Sequence, residues 1–167
     1  TMLGVKQVYP GRYEPEMLLK LIITEKVTIS HCVPTILHML VSSPVVKKLD
    51  LSRWRVVIGG ARFPKGLAQA AMDLGIEVMS GFGMSETCPI ISLATLKPGM
   101  LDWPKEKQVD VLIKTGMPIP LVEMKIVDPA GKPLPHDGKT TGELVMRAPW
   151  LTAGYFKDPE QSKALWP

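Results

Sequence analysis

The chain has 167 residues, 46% apolar and 22% charged, with a net charge of +4 from 20 Lys and Arg against 16 Asp and Glu. It is long enough for one domain with a core, too short for two large ones, and too apolar to be disordered. The positive excess is spread along the chain and aromatic residues make up 6%, which argues against a nucleic-acid binder.

In chain order, Val5 to Tyr9 is a short apolar segment ended by Pro10-Gly11. Glu14-Pro15-Glu16 opens a helix, because Pro suits the first turn and carboxylates favour the positive end of the helix dipole. Its body, Met17 to Ile23, is apolar nearly all round and is expected to be buried. Val27-Thr28-Ile29 reads as a strand, and Pro34 starts a helix through Ile36, Leu37, Met39 and Leu40. His38 on that helix is expected in the core. Val56-Val57-Ile58 is a β-branched strand stopped by Gly59-Gly60. Pro64 to Leu74 is a helix closed by Gly75. Ile76 to Met79 is the next strand, running into Ser80-Gly81-Phe82-Gly83. This alternation predicts βαβ units, so residues 1–96 are expected to form a parallel α/β sheet covered by helices.

The pattern changes near Lys97. Pro and Gly become frequent and no helix pattern recurs. Val122 to Val127 alternates at period two, Asp128-Pro129-Ala130-Gly131 is a turn, and Gly142 to Arg147 is a second alternating strand. Residues 97–167 are expected to form an incomplete, mostly antiparallel β subdomain. His136 reads as turn surface.

Cys32 and Cys88 form neither a disulfide framework nor a zinc spacing, which fits a reduced, cytoplasmic protein. The densest apolar run, Cys32 to Val41, is too short to cross a membrane, and no leader peptide is read before Thr1. Neither Thr1-Met2 nor Trp166-Pro167 has a polar tail, so the chain reads as a piece of a longer protein. Its bared apolar faces are expected to favour self-association.

On an open parallel sheet, ligands sit at the carboxyl ends of the strands. The loops His31-Cys32-Val33-Pro34, Gly59-Gly60-Ala61-Arg62 and Gly81 to Thr87 follow consecutive strands and are expected to converge there. Gly59-Gly60-Ala61 offers bare backbone against which a flat ring could lie; a plain strand-to-helix turn is the commoner reason for glycines there. In the third loop Phe82 can stack on a base, Ser85 and Thr87 offer hydroxyls, and Glu86 is a hard oxygen ligand suited to Mg²⁺. Alternatively, Ser85 caps a helix with Glu86 in its first turn. Both hold together if the helix N-terminus receives phosphate.

Ser80-Gly81-Phe82-Gly83-Met84-Ser85-Glu86-Thr87 closely resembles the Y-G-x-T-E core of the adenylate-forming enzymes, which include acyl-CoA synthetases, luciferases and peptide-synthetase adenylation domains. Val33-Pro34-Thr35 resembles the family's V-P-T turn and Gly59-Gly60-Ala61 its G-G-A segment. Gly116 to Pro120 resembles its G-x-P-x-P stretch. Gly142-Glu143-Leu144, Gly154-Tyr155 and Asp158-Pro159-Glu160 resemble its G-E-L and G-Y-x-x-x-P-E elements. The details around Cys32 and Pro149-Trp150 look most like medium-chain fatty acyl-CoA ligases.

The resemblance implies a two-step reaction in which a fatty acid and ATP give acyl-AMP and pyrophosphate, and CoA then takes the acyl group. It implies ATP, CoA and Mg²⁺. Ser85 would bond the α-phosphate, Glu86 would hold Mg²⁺, and Phe82 would stack on adenine beside Gly83. Gly59, Gly60 and Ala61 would lie along adenine and the acyl pocket. Cys32, Val33, Met84, Pro89 and Ile90 would line the acyl wall. Ser85 and Phe82 stand where the family has Thr and Tyr. The family's phosphate loop would lie before Thr1, and its ribose-binding aspartate and mobile C-terminal domain after Pro167, so this chain alone is expected to be inactive. An adenylating enzyme for an aryl, amino or luciferin-like acid is the alternative, and a non-catalytic nucleotide-binding or interaction module is the rival of another class.

Overall fold

A computed structural model describes residues 3–166. They fall into two compact units: the residues up to Gly81 with Ala94–Gly116, and Phe82–Leu93 with the residues from Met117 on.

The first unit begins with α1 (Pro15–Thr24), β1 (Ile29–Cys32), α2 (Pro34–Val41), β2 (Arg55–Ile58) and α3 (Lys65–Asp73). β3 (Glu77–Gly83) starts in this unit, and its last residues, Phe82 and Gly83, belong to the second. β1, β2 and β3 are parallel neighbours, with Cys32 opposite Ile58 and Ile58 opposite Ser80. The middle strand buries Val56 and Ile58 completely, as expected where helices cover a parallel sheet. Leu37, Leu40, Ala68 and Ala71 join them in the core. The Trp54 indole N–H donates to Ser30 Oγ at 2.8 Å, satisfying the polar end of a large buried ring.

Proline stands at the first helical turn of α1 and of α2. Gly75, at φ +80°, closes α3: its N–H bonds Met72 O, and Ile76 N–H bonds Ala71 O, both at 3.1 Å, the paired bonds of a left-handed helix stop. Lys26 does the same after α1, at φ +53°. Its N–H bonds Ile23 O, and Val27 N–H bonds Ile22 O at 2.9 Å. Val27 is thus spent on ending the helix, and β1 begins at Ile29 rather than Val27.

Two further expectations are corrected. Only Leu19 of α1 is buried; Met17 and Ile23 are 44% and 38% exposed, because the helix packs along one side. His38 is exposed, because α2 turns Pro34, Leu37 and Leu40 to the core. Val5 to Tyr9 forms no helix or strand.

A helix also occurs where none was read. After β4 (Ile90–Leu93), α4 (Lys105–Leu112) follows Pro104 and packs on α3. Val109 and Leu112 are its buried residues.

In the second unit β4 pairs antiparallel with β5 (Met117–Pro118). β6 (Glu123–Val127) and β7 (Glu143–Arg147) form a second antiparallel pair, from Glu123 opposite Arg147 to Val127 opposite Glu143. Glu123 and Lys125 are exposed while Met124 and Ile126 are half-buried, the one-wet-face pattern read from the sequence. A second unread helix, α5 (Pro159–Leu165), follows. The sequence expectation of a parallel α/β part followed by antiparallel β structure is observed, with α4 and α5 added.

Candidate functional site

In the first unit the register brings the carboxyl ends of β1, β2 and β3 side by side, through Cys32, Ile58 and Ser80. Gly59 N–H donates to Cys32 O at 3.3 Å. Gly59 is buried, and a β-carbon there would come 3.1 Å from His31 Nε2 and 3.3 Å from Gly81 O. Gly60 adopts φ +78°, with Val33 Cγ1 at 3.3 Å from the same built position. Close approach and a left-handed backbone therefore account for both glycines without a ligand. Ala61 is exposed and Val33 is 39% exposed. Burial pushes the Cys32 thiol up to about 11, against a smaller lowering by a backbone hydrogen bond at Leu37. It is a neutral, apolar group at neutral pH.

A cavity of about 680 Å³ in this unit lies beside β1, bounded by Val5–Pro10, α1 and Trp54. Of the expected site residues only Cys32 lines it, so the cavity reaches the carboxyl end of β1 but none of the other expected site residues.

Phe82, Gly83, Met84, Ser85, Glu86, Pro89 and Ile90 belong to the second unit. Met84 N–H bonds Pro89 O at 3.0 Å and closes the loop. The expected helix is a single 3₁₀ turn, Ser85–Thr87, preceded by Met84. Its capping side chain is Thr87 and not Ser85. Thr87, 2% exposed, accepts from Met84 N–H at 2.9 Å and places its hydroxyl on the carbonyls of Met84 and Pro89. One short turn carries little dipole, so the phosphate-binding role of a helix N-terminus does not apply. The Cys88–Pro89 peptide is cis and Cys88 has φ +50°. Ser85 is exposed, and its hydroxyl has no hydrogen-bond partner among the described residues. Met84 is 41% exposed, while Phe82, Gly83 and Ile90 are half-buried.

Glu86 is held from both sides. Its carbonyl accepts from Thr152 N–H at 3.2 Å and from Thr152 Oγ1 at 3.1 Å. Its Oε1 accepts from the Tyr155 hydroxyl at 2.5 Å. The hydroxyl lowers the Glu86 pKa, and the carboxylate in turn raises that of Tyr155. Neither Thr152 nor Tyr155 was given a site role by the sequence. The Gly154-Tyr155 pair was visible as a motif, but its contact lies 69 residues away.

Among the described residues no group of three or more His, Cys, Asp and Glu could cage a metal. Among the described residues the donors to the Glu86 carboxylate are the Tyr155 hydroxyl, at Oε1, and the backbone N–H of Glu86 itself. A single half-buried carboxylate held in place by Tyr155 fits Mg²⁺, which keeps its waters and takes one or two carboxylates with substrate phosphates. No helix among the described residues is long and apolar enough to cross a membrane.

A parallel α/β sheet whose third strand runs into a Gly-x-Gly-x-Ser-Glu turn, followed by antiparallel β structure, defines an adenylate-forming enzyme fold. The chain belongs to the family of AMP-binding enzymes, which matches residues 1–156. It is 35% identical over 167 residues to a long-chain-fatty-acid–CoA ligase of Thermus thermophilus, covering 98% of this chain and 31% of that enzyme. It is 33% identical to a medium-chain-fatty-acid–CoA ligase of Ectopseudomonas oleovorans, covering 95% and 30%. Among solved structures, the amide bond synthetase McbA of Marinactinospora thermotolerans superposes with a TM-score of 0.77 at 30% identity, covering 92% of this chain and 30% of that one. The chain thus spans about three-tenths of the length of these relatives.

Proposed function

We propose that this chain supplies the middle of the adenylation site of a longer, cytoplasmic enzyme that joins a medium-chain fatty acid to CoA through acyl-AMP. The carrying observation is the Glu86 carboxylate, braced at Oε1 by Tyr155, next in sequence to the exposed Ser85 hydroxyl. The ligase relatives and the family match support the same reading.

A carboxylate is a poor acyl donor. Its oxygen attacks the α-phosphorus of ATP, pyrophosphate leaves, and the acyl carbon becomes open to a thiol, which displaces AMP. Both reactants are anions, so the protein works chiefly by positioning and charge compensation. Ser85 donates its hydroxyl to the α-phosphate and Glu86 holds Mg²⁺. The metal, when bound, offsets the charge on the phosphates. Phe82 stacks on adenine beside Gly83. In the first unit Gly59, Gly60 and Ala61 flank adenine and the acyl chain and Cys32 and Val33 face the acyl group; in the second unit Met84, Pro89 and Ile90 face it. The neutral thiol of Cys32 suits that role.

A second reading is favoured by the likeness to an amide bond synthetase: another carboxylic acid is activated, and an amine takes the acyl group. Supplying CoA or an amine to the activated acid separates the two.

The test is isotope exchange between pyrophosphate and ATP, driven by octanoate or decanoate. The 167-residue chain alone is expected to give none. In the enzyme that contains it, Glu86→Gln keeps the shape and removes the charge the metal needs, so exchange should fall by orders of magnitude with the fold intact, and extra Mg²⁺ should restore part of it. A stable Glu86→Gln variant with normal exchange at low Mg²⁺ would remove Glu86 from the site. Absence of exchange with every acid tried, alongside intact nucleotide binding, would favour a non-catalytic module.

A further inference from the structure

We propose that Tyr155 is a positioning residue for Glu86: its hydroxyl fixes carboxylate oxygen Oε1 and so sets how the carboxylate faces Mg²⁺. The inference rests on the metal-binding reading of Glu86 and adds to it a residue with no assigned role.

A glutamate side chain is flexible, and holding it in one rotamer costs entropy that a metal must otherwise overcome. A tyrosine brings a rigid ring with few torsions, so it orients a partner at low cost if it is itself fixed. Tyr155 is fixed. Its N–H donates to Ser162 Oγ at 2.7 Å, and that hydroxyl donates to Asp158 O at 2.6 Å. Its ring meets Trp166 edge-on, centroids 5.3 Å apart. Asp158 caps α5 by accepting from Gln161 N–H at 3.1 Å. The preceding residue has to be bare: a β-carbon on Gly154 would stand 2.8 Å from Ser162 Oγ. α5 and its C-cap thus hold Tyr155 twice, the backbone through Ser162 and the ring through Trp166.

The same stretch grips the Glu86 backbone. Thr152 gives the carbonyl two donors, which already ties the turn down. The bond from Tyr155 goes instead to the carboxylate. It is charge-assisted and short, at 2.5 Å, the strong kind of hydrogen bond. A group that bonds one oxygen of a metal-binding carboxylate sets which oxygen faces the metal and how the plane lies, as outer-shell partners do in metal sites generally.

The experiment compares wild type, Tyr155→Phe, Glu86→Gln and the double variant of the enzyme that contains this chain. Mn²⁺ stands in for Mg²⁺, and the signal of free Mn²⁺ is titrated in the presence of a non-hydrolysable ATP analogue. Tyr155→Phe keeps the ring and its edge contact with Trp166. It is expected to weaken Mn²⁺ binding about two- to tenfold, the value of one lost hydrogen bond. The Mg²⁺ needed for half-maximal exchange should rise in proportion, with the effect falling on metal requirement more than on kcat. In the Glu86→Gln background the same change should do nothing further. A lower melting temperature with unchanged Mn²⁺ affinity, or equal weakening in both backgrounds, would overturn the proposal and make Tyr155 merely structural. If Glu86→Gln alone leaves Mn²⁺ binding unchanged, the metal reading of Glu86 fails first and the role of Tyr155 falls with it. If Tyr155→Phe does not fold, Ser162→Ala loosens the brace while keeping the phenol: a smaller shift in the same direction supports the proposal, and none overturns it.

Discussion

Gly83 packs directly on the carbonyl of Pro89: a β-carbon added to Gly83 would stand 1.7 Å from that oxygen and 2.9 Å from Ile90 Cα. The obstructing atoms are backbone, and the same carbonyl bonds Met84 N–H at 3.0 Å. No side chain can swing away to make room. Gly83→Ala is therefore expected to destabilise by at least the usual cost of overpacking, about 1–3 kcal/mol, and to open the loop that carries Ser85 and Glu86. Gly66→Ala in α3, where nothing lies within 4 Å, should be neutral or stabilising by up to about 1 kcal/mol. Denaturation midpoints of the two variants check this; equal values would mean that the close approach does not exist in solution.

What could be read from the sequence follows from how local each cause is. Val56 and Ile58 in β2, the prolines opening α1 and α2, and Gly75 closing α3 act within a few residues, and all were legible. Lys26 ends α1 as Gly75 ends α3, but lysine carries no signal for a left-handed conformation, so the start of β1 was misplaced. The Ser80–Thr87 segment was recognisable by its residue order. That Thr87 rather than Ser85 closes the turn was not, because both hydroxyls fit the local pattern and only the closure of Met84 onto Pro89 selects one. Tyr155 was hidden for a different reason: no periodicity links it to Glu86 across the chain.

α4 was missed because its sequence is mostly polar. Only Val109 and Leu112, a single i, i+3 pair, face the core, at 0% and 6% exposure, too thin a stripe to register as amphipathic. The helix is also tied to α3 by Lys65–Asp110 at 2.6 Å and Lys105–Asp73 at 3.4 Å, all four side chains more than half exposed. If burial holds it, Leu112→Ala should cost about 2–5 kcal/mol. Asp110→Asn, which breaks an exposed pair, should move the midpoint far less. A larger loss for Asp110→Asn in chemical denaturation would show that the ion pairs hold α4.

Asp137 gives a pH-dependent prediction away from the candidate site. Its Oδ1 accepts from Thr140 N–H at 2.7 Å and Lys139 N–H at 2.9 Å, and its Oδ2 from the Thr140 hydroxyl at 2.8 Å. The Thr140 and Lys139 N–H groups, then the Thr140 hydroxyl, bring its pKa from 3.8 down to about 2, because they stabilise the charged form. The unfolded chain therefore binds this proton more readily than the folded one. The contribution of Asp137 to stability is fully present above pH 3.8 and is lost as the pH falls towards about 2. Asp137→Asn keeps the shape of the turn without the charge. The variant should be less stable than wild type at pH 7, and the gap should close between pH 4 and pH 2, where the wild-type carboxylate takes up its proton. The group is exposed, so added salt should shrink the gap at pH 7. Melting temperatures of both proteins across this range are the measurement. A gap that stays constant down to pH 2 would mean that the turn does not depend on the charge of Asp137.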